Sequence, residues 1–212
     1  MKTYIFDLDG TLWDSMGLWS DIDVKFLSKR GLSVPPDYVD KINALGNAEG
    51  AKYTVERFNL PDTPEDLMRE WHDMAISAYT HDVKLKPYAL EYLNKLRAGG
   101  AKLGIATSLS PDLHTPALIS NGIAGYFDAI AHSDEVGYGK TRPDVFLLAA
   151  ERLGAAPSDC LIFEDVLAAV KSAKSVGMTV CAVYDESTAH LWPSICAAAD
   201  YAITDFRDAP LI

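Results

Sequence analysis

Hydrophobic and polar positions divide this chain into stretches of different period. Residues 3–8 are a short, nearly continuous apolar run and are read as a buried strand. From residue 16 to about 80, apolar residues recur at three- and four-residue intervals, the period of a helix. Trp19, Ile22, Phe26 and Leu27 form one stripe, closed by Arg30-Gly31. Pro35-Pro36-Asp37 opens a second helix with Tyr38, Ile42 and Leu45, and residues 47–58 form a third with Ala51, Val55 and Phe58. Thr63-Pro64 supplies an N-cap and a first-turn proline for a fourth, carrying Leu67, Trp71, Met74 and Ala78. From Pro87 the pattern alternates. It predicts helix 87–98, strand 102–107, helix 111–121 with a recapping point at Thr115-Pro116, strand 127–131 and helix 143–153. Strand 160–164, helix 166–176, strand 179–183, helix 188–198 and strand 200–203 follow. Apolar strands alternating with helices predict an α/β fold with a doubly wound parallel sheet. A parallel crossover needs only about a dozen residues. Roughly ninety separate the first two strands, so the helical stretch reads as an insertion. The expected organisation is a core of residues 1–15 and 82–212, interrupted by an all-helical domain of residues 16–81.

Several strands end on reactive groups. The first runs into Asp7-Leu8-Asp9-Gly10-Thr11. Residues two apart on a strand face the same way, which places Asp7 and Asp9 on one face, and the following loop can separate their environments. Two nearby carboxylates disfavour each other's ionisation, and a divalent cation relieves that. The second strand ends on Thr107-Ser108, Lys140 lies in a glycine-flanked loop before a helix, and a third strand ends on Glu164-Asp165. Singly, each has an ordinary explanation as a helix cap, a solvated lysine or a polar turn. Carboxyl ends of strands in an open parallel sheet converge on one crevice. Together the four segments are an inventory for binding Mg²⁺ and phosphate.

With these four segments in order, the chain resembles the haloacid dehalogenase-like superfamily, in the branch holding phosphatases and β-phosphoglucomutase. The resemblance spans nearly the whole chain, including Phe127-Asp128 and Asp134-Glu135-Val136-Gly137. Two departures stand out. Lys140 is followed by Thr141-Arg142-Pro143-Asp144 instead of Pro-x-Pro-Asp, and Val166 and Ala169 stand where a Ser and a Gly are common. The resemblance implies a Rossmann-like core with a helical cap. It implies that Asp7 is the nucleophile forming an aspartyl phosphate and Asp9 the general acid and base. Thr107, Ser108 and Lys140 bind the phosphate. Mg²⁺ is held by Asp7, the Asp9 carbonyl and Asp165, with Glu164 in direct or water-mediated contact. No organic cofactor is implied. Specificity in the family lies in the cap, where Trp13, Trp19, Asn47 and Glu49 are candidate lining residues.

Rival chemistries are weighed on the same positions. A phosphomutase of this branch carries a cap histidine where Met16, Gly17, Leu18 and Trp19 stand here. It also carries a lysine and an arginine where this chain reads Ala44-Leu45-Gly46-Asn47-Ala48-Glu49. An arginine fork clamps a second phosphate, and Glu49 would repel it. A dehalogenase does not need Asp9, and a phosphonatase would carry another residue there. A receiver-type phosphoacceptor domain lacks both Asp9 and the insertion.

Composition narrows the partners. The net charge of −11 argues against nucleic acid or an anionic membrane as the main partner. It does not argue against a small phosphorylated metabolite, because a metal and a lysine can reverse the local field. No apolar run approaches the ~20 residues of a membrane helix, and acidic residues begin at Asp7, unlike a signal peptide. Three cysteines without motif spacing are expected to be reduced thiols of a cytoplasmic protein. A monomer is expected, with a dimer as the alternative.

Overall fold

The computed structural model describes the backbone of residues 2–45 and 47–212, and their side chains except Asp40, Asn43, Ala44 and Asn47. In chain order the first elements are β1 (Thr3–Phe6), β2 (Trp13–Asp14), α1 (Leu18–Ser28), α2 (Tyr38–Leu45), α3 (Asn47–Phe58) and α4 (Pro64–His81). Then come β3 (Lys84–Leu85), α5 (Ala89–Ala98), β4 (Lys102–Thr107), α6 (Pro111–Ser120), β5 (Ala129–His132), α7 (Ser133–Val136) and α8 (Asp144–Arg152). The last are β6 (Cys160–Glu164), α9 (Leu167–Ser175), β7 (Thr179–Val183), α10 (Trp192–Ala198) and β8 (Tyr201–Ile203). The chain forms two compact units, one of residues up to Met16 with Val83–Ile212, the other Gly17–Asp82.

The larger unit is built on a six-stranded parallel sheet of order β5-β4-β1-β6-β7-β8. The strand order reverses at β1, which lies between β4 and β6, so their carboxyl ends open on a common crevice. The central strands β1, β4 and β6 are buried almost throughout, which is why they read as unbroken apolar runs. On one face Ile5, Ile162 and Val180 pack against Val145, Ala149 and Val170 of α8 and α9. On the other, Phe6 stacks on Phe163 with ring centroids 4.7 Å apart, and Tyr92 and Phe206 close around them. Cys160, Cys181 and Cys196 are free thiols. Among the described residues no helix is long and apolar enough to cross a membrane.

The element boundaries differ from the sequence reading where the backbone departs from regular geometry. Strand β1 stops at Phe6, not residue 8. Asp7 N still donates to Phe163 O at 3.0 Å, and the chain then turns, with Thr11 N and Trp13 N both donating to Leu8 O. Gly10 takes φ +73° in that turn, a region that costs other residues ~1–2 kcal/mol. Asp7 and Asp9 therefore do not share one continuous strand. Trp13 and Asp14 pair antiparallel with Leu85 and Lys84, a ladder too short to leave a period in the sequence. Helix α6 runs through Pro116 without recapping. Helix α5 starts at Ala89 because Tyr88 before it adopts φ +63°. The short α7 was not anticipated, and the segment read as helix 188–198 is a 3₁₀ turn over Glu186–Leu191 followed by α10.

In the smaller unit Leu18, Ile22 and Phe26 are buried at i, i+4 spacing on α1, and Phe26 meets Trp71 of α4 edge-on at 5.6 Å. Trp19 falls outside that face and is 45 % exposed, so the buried stripe begins at Leu18. Tyr38 and Thr54 hydroxyls bond at 2.8 Å between α2 and α3, and Thr63 with Asp66 forms the capping box that starts α4. Arg30 ties the end of α1 to Asp62 and Glu70. Asp23 lies on the buried side of α1, and burial pushes its carboxyl up to about 6. The folded state thus holds this proton more tightly than the unfolded chain does. The cost is absent below the unfolded value of about 4, grows as pH rises, and is complete above about 6. Discounted for partial solvent access it is about 1 kcal/mol. Asp23→Asn is expected to raise Tm by about 2–4 °C at neutral pH and leave it unchanged near pH 4. An equal gain at both pH values in thermal scans would refute this account.

Candidate active site

The crevice above the sheet has a volume of about 400 Å³ and is lined by Asp7, Asp9, Thr107, Ser108, Lys140, Glu164 and Asp165, with Thr141 and apolar side chains making up the remainder. All of these side chains except Lys140, which lies in the loop after α7, are placed by a strand end or the loop after it. Asp7 follows β1, Thr107 ends β4 beside it, and Glu164 ends β6 on its other side, in a register that aligns Phe6 with Ile105 and Phe163. All seven residues singled out in the sequence therefore line one crevice. They come from segments up to 158 positions apart, from Asp7 to Asp165.

Lys140 is the hub. Its Nζ donates to Asp7 Oδ1 and, at 2.9 Å, to Glu164 Oε2. Gly137 at φ +71° ends α7 and turns the chain into the loop that delivers it. Glu164 Oε1 accepts from the amides of Asp165 at 3.0 Å and Val166 at 3.1 Å. Both Glu164 oxygens are thus engaged by protein donors. Asp165 differs. Its Oδ1 accepts from the Thr11 hydroxyl at 3.0 Å, while its Oδ2 is buried with no hydrogen-bond partner among the described residues. Asp7, Glu164 and Asp165 each place an oxygen within 4.8 Å of the others.

Burial and mutual repulsion set the charges. Burial pushes Asp7 up to about 7; Lys140 opposes that and Glu164 adds to it. Burial, then the Glu164 charge, pushes Asp165 up to about 9. Burial alone would lower Lys140, but Asp7 and Glu164 outweigh it and raise it, so the lysine stays a cation. A lysine held charged and an aspartate reluctant to ionise beside it are compatible because Glu164 shares the same ammonium. An orphaned buried carboxylate oxygen beside two further carboxylates is the donor set a hard divalent cation satisfies. The residues present fit such an ion.

Two contributors carried no assigned role in the sequence reading. Thr11 orients Asp165, and Ser15 Oγ donates to Asp9 Oδ1 at 2.6 Å. Hydroxyls two and six positions after Asp9 were the available signal, but only folding shows which carboxylate each reaches. Thr107 Oγ1 accepts from Leu109 N at 3.1 Å, and Ser108 Oγ bonds Ser133 Oγ at 2.9 Å, so the loop after β4 is tied down on both sides. Trp13 is fully buried and cannot line a substrate cavity, because its place in the β2–β3 ladder puts its side chain in the core. Trp19 and Glu49 are exposed, whereas Gly46 and the side chains of Ala44 and Asn47 lie outside the described residues.

Gly10 is the tightest constraint. A Cβ there would sit 2.5 Å from Asp165 Oδ2, on a backbone already at positive φ. Gly10→Ala is expected to cost at least ~1–2 kcal/mol of stability and to push Asp165 aside. Thermal unfolding and metal titration read the two effects separately, and a variant with parental metal affinity would contradict this geometry.

Known proteins are similar to this chain along most of its length. In the plant Arabidopsis thaliana, a bifunctional riboflavin kinase/FMN phosphatase is 32 % identical over 209 residues, covering 98 % of this chain. This chain spans 54 % of that relative's length. A phosphorylated carbohydrates phosphatase of Thermotoga maritima is 28 % identical over 178 residues, 84 % of this chain and 82 % of the relative. A solved structure of a candidate β-phosphoglucomutase from Thermotoga maritima superposes with a TM-score of 0.83 at 26 % identity, covering 96 % of this chain and 94 % of that one. The family model described as haloacid dehalogenase-like hydrolase matches residues 4–183, and the chain belongs to that family.

Proposed function

We propose that this protein is a Mg²⁺-dependent phosphatase that hydrolyses a small phosphorylated metabolite through an aspartyl phosphate on Asp7. The observation that carries the reading is the pairing of Asp7 with a lysine also held by Glu164, beside a buried Asp165 oxygen that lacks a protein donor. Phosphatase names among the relatives support it.

An Asp7 oxygen attacks phosphorus while the bond to the alcohol oxygen breaks, and Asp9 gives its proton to that oxygen. Water then attacks the aspartyl phosphate, Asp9 takes a proton from it, and the bond from phosphorus to Asp7 breaks. Ser15 holds Asp9 by Oδ1, which fixes the carboxyl for both transfers. Lys140 lowers the repulsion between the Asp7 carboxylate and the phosphate, and Glu164 positions the lysine instead of serving as a direct metal ligand. Thr107, anchored through Leu109 N, and the Ser108 amide bind the transferring oxygens. Asp7, the Asp9 carbonyl and Asp165 would hold Mg²⁺, which supplies charge neutralisation and orientation when bound. So few protein ligands leave room for water and phosphate, as Mg²⁺ prefers. The helical insertion supplies substrate choice, and the three free thiols suit the cytoplasm.

Release of inorganic phosphate from an aryl phosphate and a panel of metabolite esters, with Mg²⁺ and with chelator, tests this. Turnover only with the metal supports it, and no turnover of any ester would end it.

A further inference from the structure

The crevice is poor in positive charge. Four carboxylates, Asp7, Asp9, Glu164 and Asp165, face one lysine that already binds two of them. A divalent cation and an incoming phosphate dianion cancel, so the walls keep their negative excess. No arginine lines the crevice. Arg142, two residues after Lys140, pairs with Asp144 and lies 3.6 Å from the centre of the Tyr138 ring. The helical unit is similar on its own account. Residues 17–82 hold twelve acids and seven bases, and their three arginines, Arg30, Arg57 and Arg69, are each in ion pairs. Arg97, Arg152 and Arg207 are likewise paired, so every arginine of the chain has an acidic partner. The bidentate fork that clamps a second phosphate or a carboxylate is not on offer without breaking one of these pairs. The exposed crevice rim is uncharged instead, with the hydroxyls of Ser108 and Thr141 among apolar side chains. Met16 and Val166 are 41 % and 43 % exposed, and Leu109 and Ala168 line the same space.

Resting on the phosphatase reading above, we infer that the substrate is a phosphate monoester of a neutral alcohol. It presents an apolar face to Met16 and Val166 and bears no second anionic group close to the scissile phosphate. Val166 is a specificity-determining residue. Its amide holds Glu164, while its side chain meets the alcohol, where burying apolar surface contributes about 25 cal/mol per Å². A second anion would find no cation on this rim and would meet the carboxylates behind it.

The test uses pairs of esters that differ in charge: 2-hydroxyethyl phosphate against phosphoglycolate, and a hexose monophosphate against its bisphosphate, each with Mg²⁺. The neutral member should have a kcat/KM about 10- to 100-fold higher. The gap should narrow as salt rises, because repulsion is screened. Val166→Arg should close it by about tenfold, mainly through KM of the anionic member. If neither the four esters nor the aryl phosphate is hydrolysed, the phosphatase reading itself fails; if the aryl phosphate alone is hydrolysed, this inference fails while the phosphatase reading stands. If they are hydrolysed and the anionic members match or exceed the neutral ones, this inference fails while the phosphatase reading stands. An unchanged ratio in Val166→Arg would refute the role given to the rim.

Discussion

Asp7→Asn is expected to reduce turnover by roughly 10⁴-fold or more while the protein stays folded, because it removes the attacking oxygen and nothing of the local shape. The residue is 6 % exposed and its carboxyl already hard to ionise, so a neutral isostere relieves repulsion with Glu164 and Asp165. Its Tm without metal should not fall. The parent, quenched during turnover and trapped with borohydride, should yield a modified Asp7 by mass spectrometry. The variant should yield none. Asp9→Asn should behave differently. It keeps the nucleophile, so an ester with a good leaving group still phosphorylates Asp7, while hydrolysis of that adduct slows by about 10²–10⁴-fold. Activity of Asp7→Asn within tenfold of the parent would place the nucleophile elsewhere.

Chelation should abolish activity, and Asp165→Asn should make it unrecoverable at ordinary Mg²⁺ concentrations. Among the described residues Asp165 Oδ2 is the buried carboxylate oxygen of the cluster without a hydrogen-bond donor, and an amide there replaces a charge with a weak dipole. The pH dependence has a definite sign. Metal requires ionised carboxylates, while burial raises Asp7 to about 7 and Asp165 to about 9. In the metal-free protein these groups hold protons more tightly than in the unfolded chain. Metal-free stability therefore falls as pH climbs from the unfolded carboxylate range, near pH 4, towards those values. Mg²⁺ binding displaces the protons and should tighten with pH. The Tm increase caused by Mg²⁺ should be larger near pH 8 than near pH 6. A smaller increase at the higher pH would show that these carboxylates do not hold the metal.

Much of this was legible in the primary structure because it depends on local period and order. Buried parallel strands leave continuous apolar runs such as Cys160–Glu164 and Thr179–Val183, found at the predicted positions. The residues that line the crevice were legible because a parallel sheet brings strand ends together whatever the loops between them do. What the sequence by itself determined, then, is the strands of the parallel sheet, the longer helices between them and the identity of the seven polar residues at the crevice. Tertiary structure decided the rest. Asp7 and Asp9 were separated by a turn that depends on the backbone of Gly10. Trp13 was taken from a candidate binding role into the core by pairing with Leu85. Thr11 was given to Asp165 and Ser15 to Asp9, choices that no spacing encodes because a short hydroxyl side chain bonds whatever carboxylate the fold brings within about 3 Å. Above all, Glu164 and Asp165 are neighbours in sequence with the same charge, yet one is filled by two amides and a lysine and the other keeps a bare buried oxygen. The two amides are local to Glu164, but Lys140 reaches it and Thr11 reaches Asp165 only in the folded chain, because hydrogen-bond donors are assigned by distance in space and not by position along the chain.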